Sequence, residues 1–168
     1  MREAHSPGGR LIITVRDPAT GAIVLTRRVR NLVTLAGRAL LADLLTGVIA
    51  GFAKIELVVG GPPDPSNLAF TPRPPDLDDT ALENLLVAVP VTTGPTAEQT
   101  DEDGDPRMVT PVSGTLEAVA GGDKLVLTEA GIQITKIDDT KILYNRVVFG
   151  RITKEANLQM TLTWEVIF

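Results

Sequence analysis

Hydrophobic and polar positions alternate along much of this chain, and the alternation changes period only once near the front. In RLIITVRDPATGAIVLTRRVRN, Leu11, Ile13 and Val15 alternate with Ile12, Thr14 and Arg16, and a second alternating run follows from Ala22 to Val29. Asp17, Pro18 and Gly21 supply turn chemistry between them, which predicts a hairpin. In NLVTLAGRALLADLLTG the spacing shifts to that of a helix: Leu35, Ala39, Ala42 and Leu45 share a stripe that Leu41 and Leu44 widen. Thr34 is placed to cap its start and Gly47 to stop it, so one amphipathic helix is expected from Leu35 to Thr46. Strand-like runs resume at AKIELVVGG and LLVAVPVTT, then at MVTPVSGTLEAVA, KLVLTEAGIQITKI, ILYNRVVFGRI and LQMTLTWEVIF.

The last run is the most regular. Leu158, Met160, Leu162, Trp164, Val166 and Phe168 fall on one face, and Gln159, Thr161, Thr163 and Glu165 on the other. A strand that keeps this alternation so far is expected inside a sheet, with its apolar side in the core. Tyr144, Phe149, Trp164 and Phe168 crowd the final stretch of a chain with one Trp, one Tyr and four Phe, so the closing strands should hold much of that core.

Two segments break the pattern. Half of the 12 prolines lie between Pro62 and Pro75, which excludes a regular ladder and predicts a long Pro-rich loop over 61–80. A polar, acidic loop is expected over 94–106. The resulting fold is mainly β: an antiparallel β-sandwich in one domain, 1–168, with a hairpin arm over 1–30, one amphipathic helix and the Pro-rich loop.

Composition narrows the chemistry. A formal charge of −5 without a basic block gives nucleic acid no electrostatic foothold, and charged residues interrupt the most apolar run, so no membrane span is expected. The start, MREAHSPGGRL, lacks the apolar core of a secretory signal. Cysteine is absent, which removes disulfides and thiolate chemistry. The single histidine, His5, lies in the N-terminal arm, and Ser6, Ser66 and Ser113 stand in no nucleophile-elbow context, so no catalytic residue is assigned and no enzyme is expected. Asp101, Asp103 and Asp105 have the spacing of oxygen ligands in calcium loops. Gly104, Pro106 and the lack of a glutamate at the twelfth loop position depart from that pattern, so a solvated turn is expected and neither metal nor cofactor is assigned. The carboxylates of PPDLDDTALE have the makings of a paired acid/base site, but with no pocket-forming aromatics nearby a loop-to-helix cap by Asp78, Asp79 or Thr80 is expected. The glycine pairs Gly60-Gly61 and Gly121-Gly122 match no phosphate-binding loop.

The remaining candidates concern contact rather than catalysis. Arg27, Arg28 and Arg30 form a basic patch that reads either as a solvated strand face or as a contact to an acidic neighbouring subunit. Pro62, Pro63 and Arg73 lie on a backbone that proline pre-orders for docking. Phe70 is an apolar anchor in polar surroundings, poised either to meet another subunit or to tuck into its own core.

Taken in order, NLVTLAGRALLADLLTG, IELVVGGPPDPS, DLDDTALENLL, LTEAGIQI and LYNRVVFGRITKEANLQMTLTWEVIF resemble a group of small structural proteins of tailed bacteriophages and phage-like contractile particles, associated with tail fibres and baseplates. The matching positions are Asn31, Val33, Gly37 and Arg38; Gly60 and Gly61; Asp79, Thr80 and Leu82; Glu129 and Gly131; Arg146, Phe149 and Lys154; and Leu162, Trp164, Val166 and Phe168. The likeness spans about residues 30–168 and leaves the first hairpin outside. It implies a virion or particle subunit in the baseplate, fibre or collar region. Its partners would be copies of itself, as a trimer or hexamer, and neighbouring tail proteins. Two other readings stay open: a host-surface module that binds a glycan, and a capsid decoration protein.

Overall fold

A computed structural model describes residues 8–100 and 104–167. The chain is mainly β, with two antiparallel sheets and one short helix. The predicted hairpin is β1 (Gly8–Arg16) and β2 (Ile23–Arg30), paired from Arg10↔Arg30 to Arg16↔Ile23. The Asp17 carboxylate accepts from the Ala19 N–H at 2.8 Å, and Gly21 takes φ +74°, where a side chain would be strained. After the short β3 (Leu32–Val33), the helix α1 runs from Leu35 to Leu45. Thr34 caps it, accepting from the Gly37 N–H at 3.0 Å, while its hydroxyl donates to the Leu143 carbonyl at 2.5 Å. One buried side chain thus starts the helix and fastens it to the sheet beneath.

The other strands are β4 (Phe52–Gly60), β5 (Leu85–Pro90), β6 (Thr92–Thr93), β7 (Ala97–Thr100), β8 (Pro106–Leu116), β9 (Leu125–Lys136), β10 (Lys141–Lys154) and β11 (Gln159–Ile167). The first sheet has the order β2-β1-β11-β8, with β6 and β7 both on the free side of β8. The second has the order β3-β10-β9-β4-β5. The two sheets share one hydrophobic cluster, which holds Leu11, Ile13, Leu162 and Trp164 of the first and Leu57, Val59, Ala130 and Ile132 of the second.

β11 lies between β1 and β8, and Met160, Leu162, Trp164 and Val166 are buried while the alternate positions are half-exposed. The interior position read from its alternation is therefore correct; Phe168 lies outside the described residues. Two expectations change. The segment 94–106 is not a plain loop, because β7 pairs with β8 from Ala97↔Val109 to Thr100↔Pro106. All four β7 residues are exposed, so the strand has no buried face and leaves no alternation to read. No helical turn precedes β5, and Asp79 is not a cap but a buried carboxylate. Among the described residues, no helix is long and apolar enough to cross a membrane.

Candidate functional site: a buried charge cluster beneath residues 61–84

β9 departs from the period of two, since every residue from Val126 to Ile132 is buried. The register explains this. Ala130 and Ile132 pair with Val59 and Leu57 on the core side, which turns Glu129 and Gly131 to the opposite face with Val58 and Gly60. Residues 61–84, the connection from β4 to β5, hold no helix or strand and cover that face.

Four ionic groups meet there. The Arg146 side chain is fully buried on β10, and its Nε donates to Glu129 Oε2 at 2.9 Å while Nη1 donates to Asp79 Oδ2 at 2.9 Å. Nη2 stands 2.8 Å from the same Glu129 oxygen, close enough for attraction but out of line for a hydrogen bond. Asp79 also takes an ion pair from Arg73 on Oδ1 and accepts the Asp76 N–H at 2.9 Å. Glu129 Oε1 accepts the Asn84 N–H at 3.1 Å, and the Asn84 amide donates to the Gly61 carbonyl at 2.9 Å. Arg73 further reaches Glu83 through its backbone N–H at 3.0 Å. Burial pushes the Asp79 carboxyl upward, but the Asp76 N–H and the guanidiniums of Arg146 and Arg73 outweigh it and hold it below the usual carboxylate range. Burial likewise works against the Arg146 cation, and hydrogen bonds to Asp79 and Glu129 reverse the effect and raise it.

The cluster ties strands β9 and β10 to both ends of the connection, and Arg151 of β10 ties down its middle. Arg151 Nη1 donates to the Asn67 carbonyl at 3.0 Å, and Nη2 donates to the Pro65 carbonyl. The glycine pair at the entrance now has a physical reason. A Cβ on Gly60 would stand 2.6 Å from Glu129 Oε1, and one on Gly61 would stand 2.0 Å from the Val126 carbonyl oxygen. These glycines permit close backbone approach. Gly61→Ala is expected to lower the unfolding free energy by about 3 kcal/mol through backbone displacement, read from the midpoint of urea unfolding. Gly121→Ala makes a useful contrast: nothing lies within 4 Å of its Cβ position, and only its φ of +71° resists substitution.

The contact residues read from sequence end in different places. Pro62 is buried, so it faces the interior and not a neighbour; Pro63 is exposed. Arg73 is engaged with Asp79 and Glu83. Phe70 is half-buried, with its backbone N–H donating to the Asn67 carbonyl at 3.3 Å. Arg27 donates to the Gly150 carbonyl across the sheet edge, whereas Arg28 is exposed. Lys154 is buried at the end of β10, where desolvation lowers its pKa against the opposing pull of Glu117. Ser66 bonds the Asp64 carboxylate at 2.7 Å and Ser113 shares a hydrogen bond with Thr163 at 3.0 Å. Among the described residues, no group of three metal-ligating side chains converges; Asp101 and Asp103, like His5 and Ser6, lie outside them.

Sequence reasoning on composition and spacing missed the cluster because its members are far apart in the chain. Asp79, Glu129 and Arg146 do appear among the positions that carry the phage-protein resemblance. Chemically, the arrangement holds two carboxylates in place by two guanidiniums and spends their charges on one another. Comparison of the chain with protein-family models, with curated proteins and with solved structures gave no match.

Proposed function

We propose that this chain is a structural subunit of a bacteriophage tail or related phage-like injection particle, in its baseplate, fibre or collar region, and that it works through assembly of copies with one another and with neighbouring particle proteins. On this reading the two sheets form an antiparallel β-sandwich, and residues 61–80 are a long Pro-rich loop that presents a fixed surface to a neighbour. The observation that carries the proposal is the Arg146–Asp79–Glu129 cluster. It holds a connection rich in proline at both ends while Arg151 holds the middle, so little backbone entropy remains to be lost when that surface docks. The ordered run of positions shared with small phage structural proteins gives the class. The trimer or hexamer and the position in the particle come from that resemblance alone.

The test is to tag the chain in the bacterium or phage that carries its gene, purify tail-like particles, and measure its content by mass spectrometry with immunogold labelling of negative-stain images. A fixed copy number per particle and labelling at one location are expected. A tag found only in the free protein fraction, with metabolic genes on both sides of the gene, would reject the proposal.

A further inference from the structure

Residues 61–84 are built as a separate piece. Their two ends are clasped: the Gly61 N–H donates to the Asn84 carbonyl at 3.2 Å, and the Asn84 amide returns a bond to the Gly61 carbonyl at 2.9 Å. β4 and β5 pair just outside this clasp, at Gly60↔Leu85, so they do not need the excursion to stay together. Within the neck the segment bonds largely to itself. The Asn67 carbonyl accepts the Phe70 N–H at 3.3 Å, the Asp76 carbonyl accepts the Asp79 N–H at 3.2 Å, and the Asp79 and Glu83 carboxylates accept the Asp76 and Arg73 N–H groups. Among the described residues, three groups outside it hold it beyond the neck. Arg146 bonds Asp79, Arg151 bonds the Pro65 and Asn67 carbonyls, and the Leu35 N–H at the start of α1 donates to the Leu77 carbonyl at 2.8 Å. Apolar packing is sparse: Pro62 and Pro72 are buried, but Leu68 is 82% exposed and Leu77 38%.

We infer that residues 61–84 open and close over the second sheet as one unit, hinged at the Gly61–Asn84 neck and latched by Arg146 and Arg151. A loop whose ends meet and whose interior is tied together by its own groups moves as a body. Segments with few buried apolar contacts are the ones that open below the free energy of global unfolding. The latch is electrostatic. The segment carries five carboxylates and one guanidinium, and of the side chains beneath it Arg146 and Arg151 are cationic and Glu129 anionic. Opening parts Asp79 from Arg146, which favours the closed form and keeps the outer surface fixed while the latch holds. The inference goes beyond the assembly reading and does not depend on it, since neck, internal bonds and latch all belong to one chain.

The test is native-state hydrogen exchange, read residue by residue by NMR on the full chain and on Arg151→Met, with thermal unfolding as a check on the fold. Arg151 is half-exposed, so a native unfolding profile is expected for the variant. The bonded amides of Asn67, Phe70, Arg73, Asp76 and Asp79 report on the segment, and the Ile132 amide, bonded to Asn145 Oδ1 at 2.9 Å, reports on the sheet. In the wild type the segment amides should share one opening constant, at least about 10-fold larger than that of Ile132. Arg151→Met removes charge-assisted bonds at one place only, yet should raise the constant roughly 10-fold at every segment amide, the distant Asp76 and Asp79 included, and leave Ile132 unchanged. A rise confined to Asn67 and Phe70, unrelated constants along the segment, or constants equal to that of Ile132 would each overturn the single unit. A rise that spread into β4 and β5 would overturn the hinge at the neck. None of these outcomes turns on whether the chain is found in particles, so the two readings fail separately.

Discussion

Arg146→Met should lower the free energy of unfolding by about 3–5 kcal/mol at neutral pH, one of the two largest effects expected in this protein. The substitution removes the cation between Asp79 and Glu129, whose side chains are completely buried, leaving Glu129 without the guanidinium beside it and Asp79 with Arg73 alone. The pH dependence separates this cause from simple loss of packing. In the wild type the Asp79 carboxyl is depressed in the folded state, so its contribution is present above its unfolded pKa and is lost as pH falls through the folded value. In Arg146→Met, loss of that guanidinium should move the Asp79 carboxyl up toward its unfolded value, while the Asp76 N–H and Arg73 still hold it down. The difference in proton binding between folded and unfolded states shrinks, so the variant should lose less stability than the wild type as pH falls from about 5 toward about 3. Urea unfolding of both proteins across that range measures the two slopes. Parallel slopes would show that the cluster acts through packing rather than charge. Replacing Asp79, Glu129 and Arg146 together by apolar residues of similar size should recover much of the loss, since an apolar core tolerates what a half-paired ion does not.

Trp164→Ala should cost about 3–5 kcal/mol, because the side chain is fully buried at the middle of β11, with β1 on one side and β8 on the other. Trp164→Phe should cost much less, about 1–2 kcal/mol. The indole Nε1 is buried with no hydrogen-bond acceptor, so its removal relieves an unmet donor while shrinking the ring by a modest volume. A Trp164→Phe loss well above about 2 kcal/mol would mean that the indole N–H is satisfied after all. Guanidinium or urea unfolding of the three proteins decides the matter.

The legible part of this fold is the part whose chemistry repeats at short range. β1, β2 and β11 each turn one face to the core, so alternation revealed them, and Thr34 and Gly47 bracket α1 because a capping oxygen and a left-handed residue are local requirements. β7 escaped because none of its residues is buried, so its pairing with β8 left no alternation to read. The Asp79 role escaped for the opposite reason. Its neighbours in the chain, Asp76 and Asp78, form ordinary solvated turns, and nothing local distinguishes it from them; what sets it apart is Arg146, 67 positions away. Gly60 and Gly61 carried a visible signal without a visible cause, since a glycine pair marks close approach but does not say what approaches. Among the contact residues, Pro62 and Arg73 show the same limit: proline content marks the stretch, yet whether a given side chain faces inward depends on the sheet beneath it.

The pairing of β1 with β11 has a consequence for biogenesis. Arg10 and Glu165 touch across 155 positions of sequence, so the first sheet closes only after its central strand has been synthesised and has left the ribosome. Until then β1 and β2 form a hairpin with an open side and an uncovered apolar face, exposed to pairing with other nascent chains. Such distant closure favours slow folding and a demand for chaperone protection during translation.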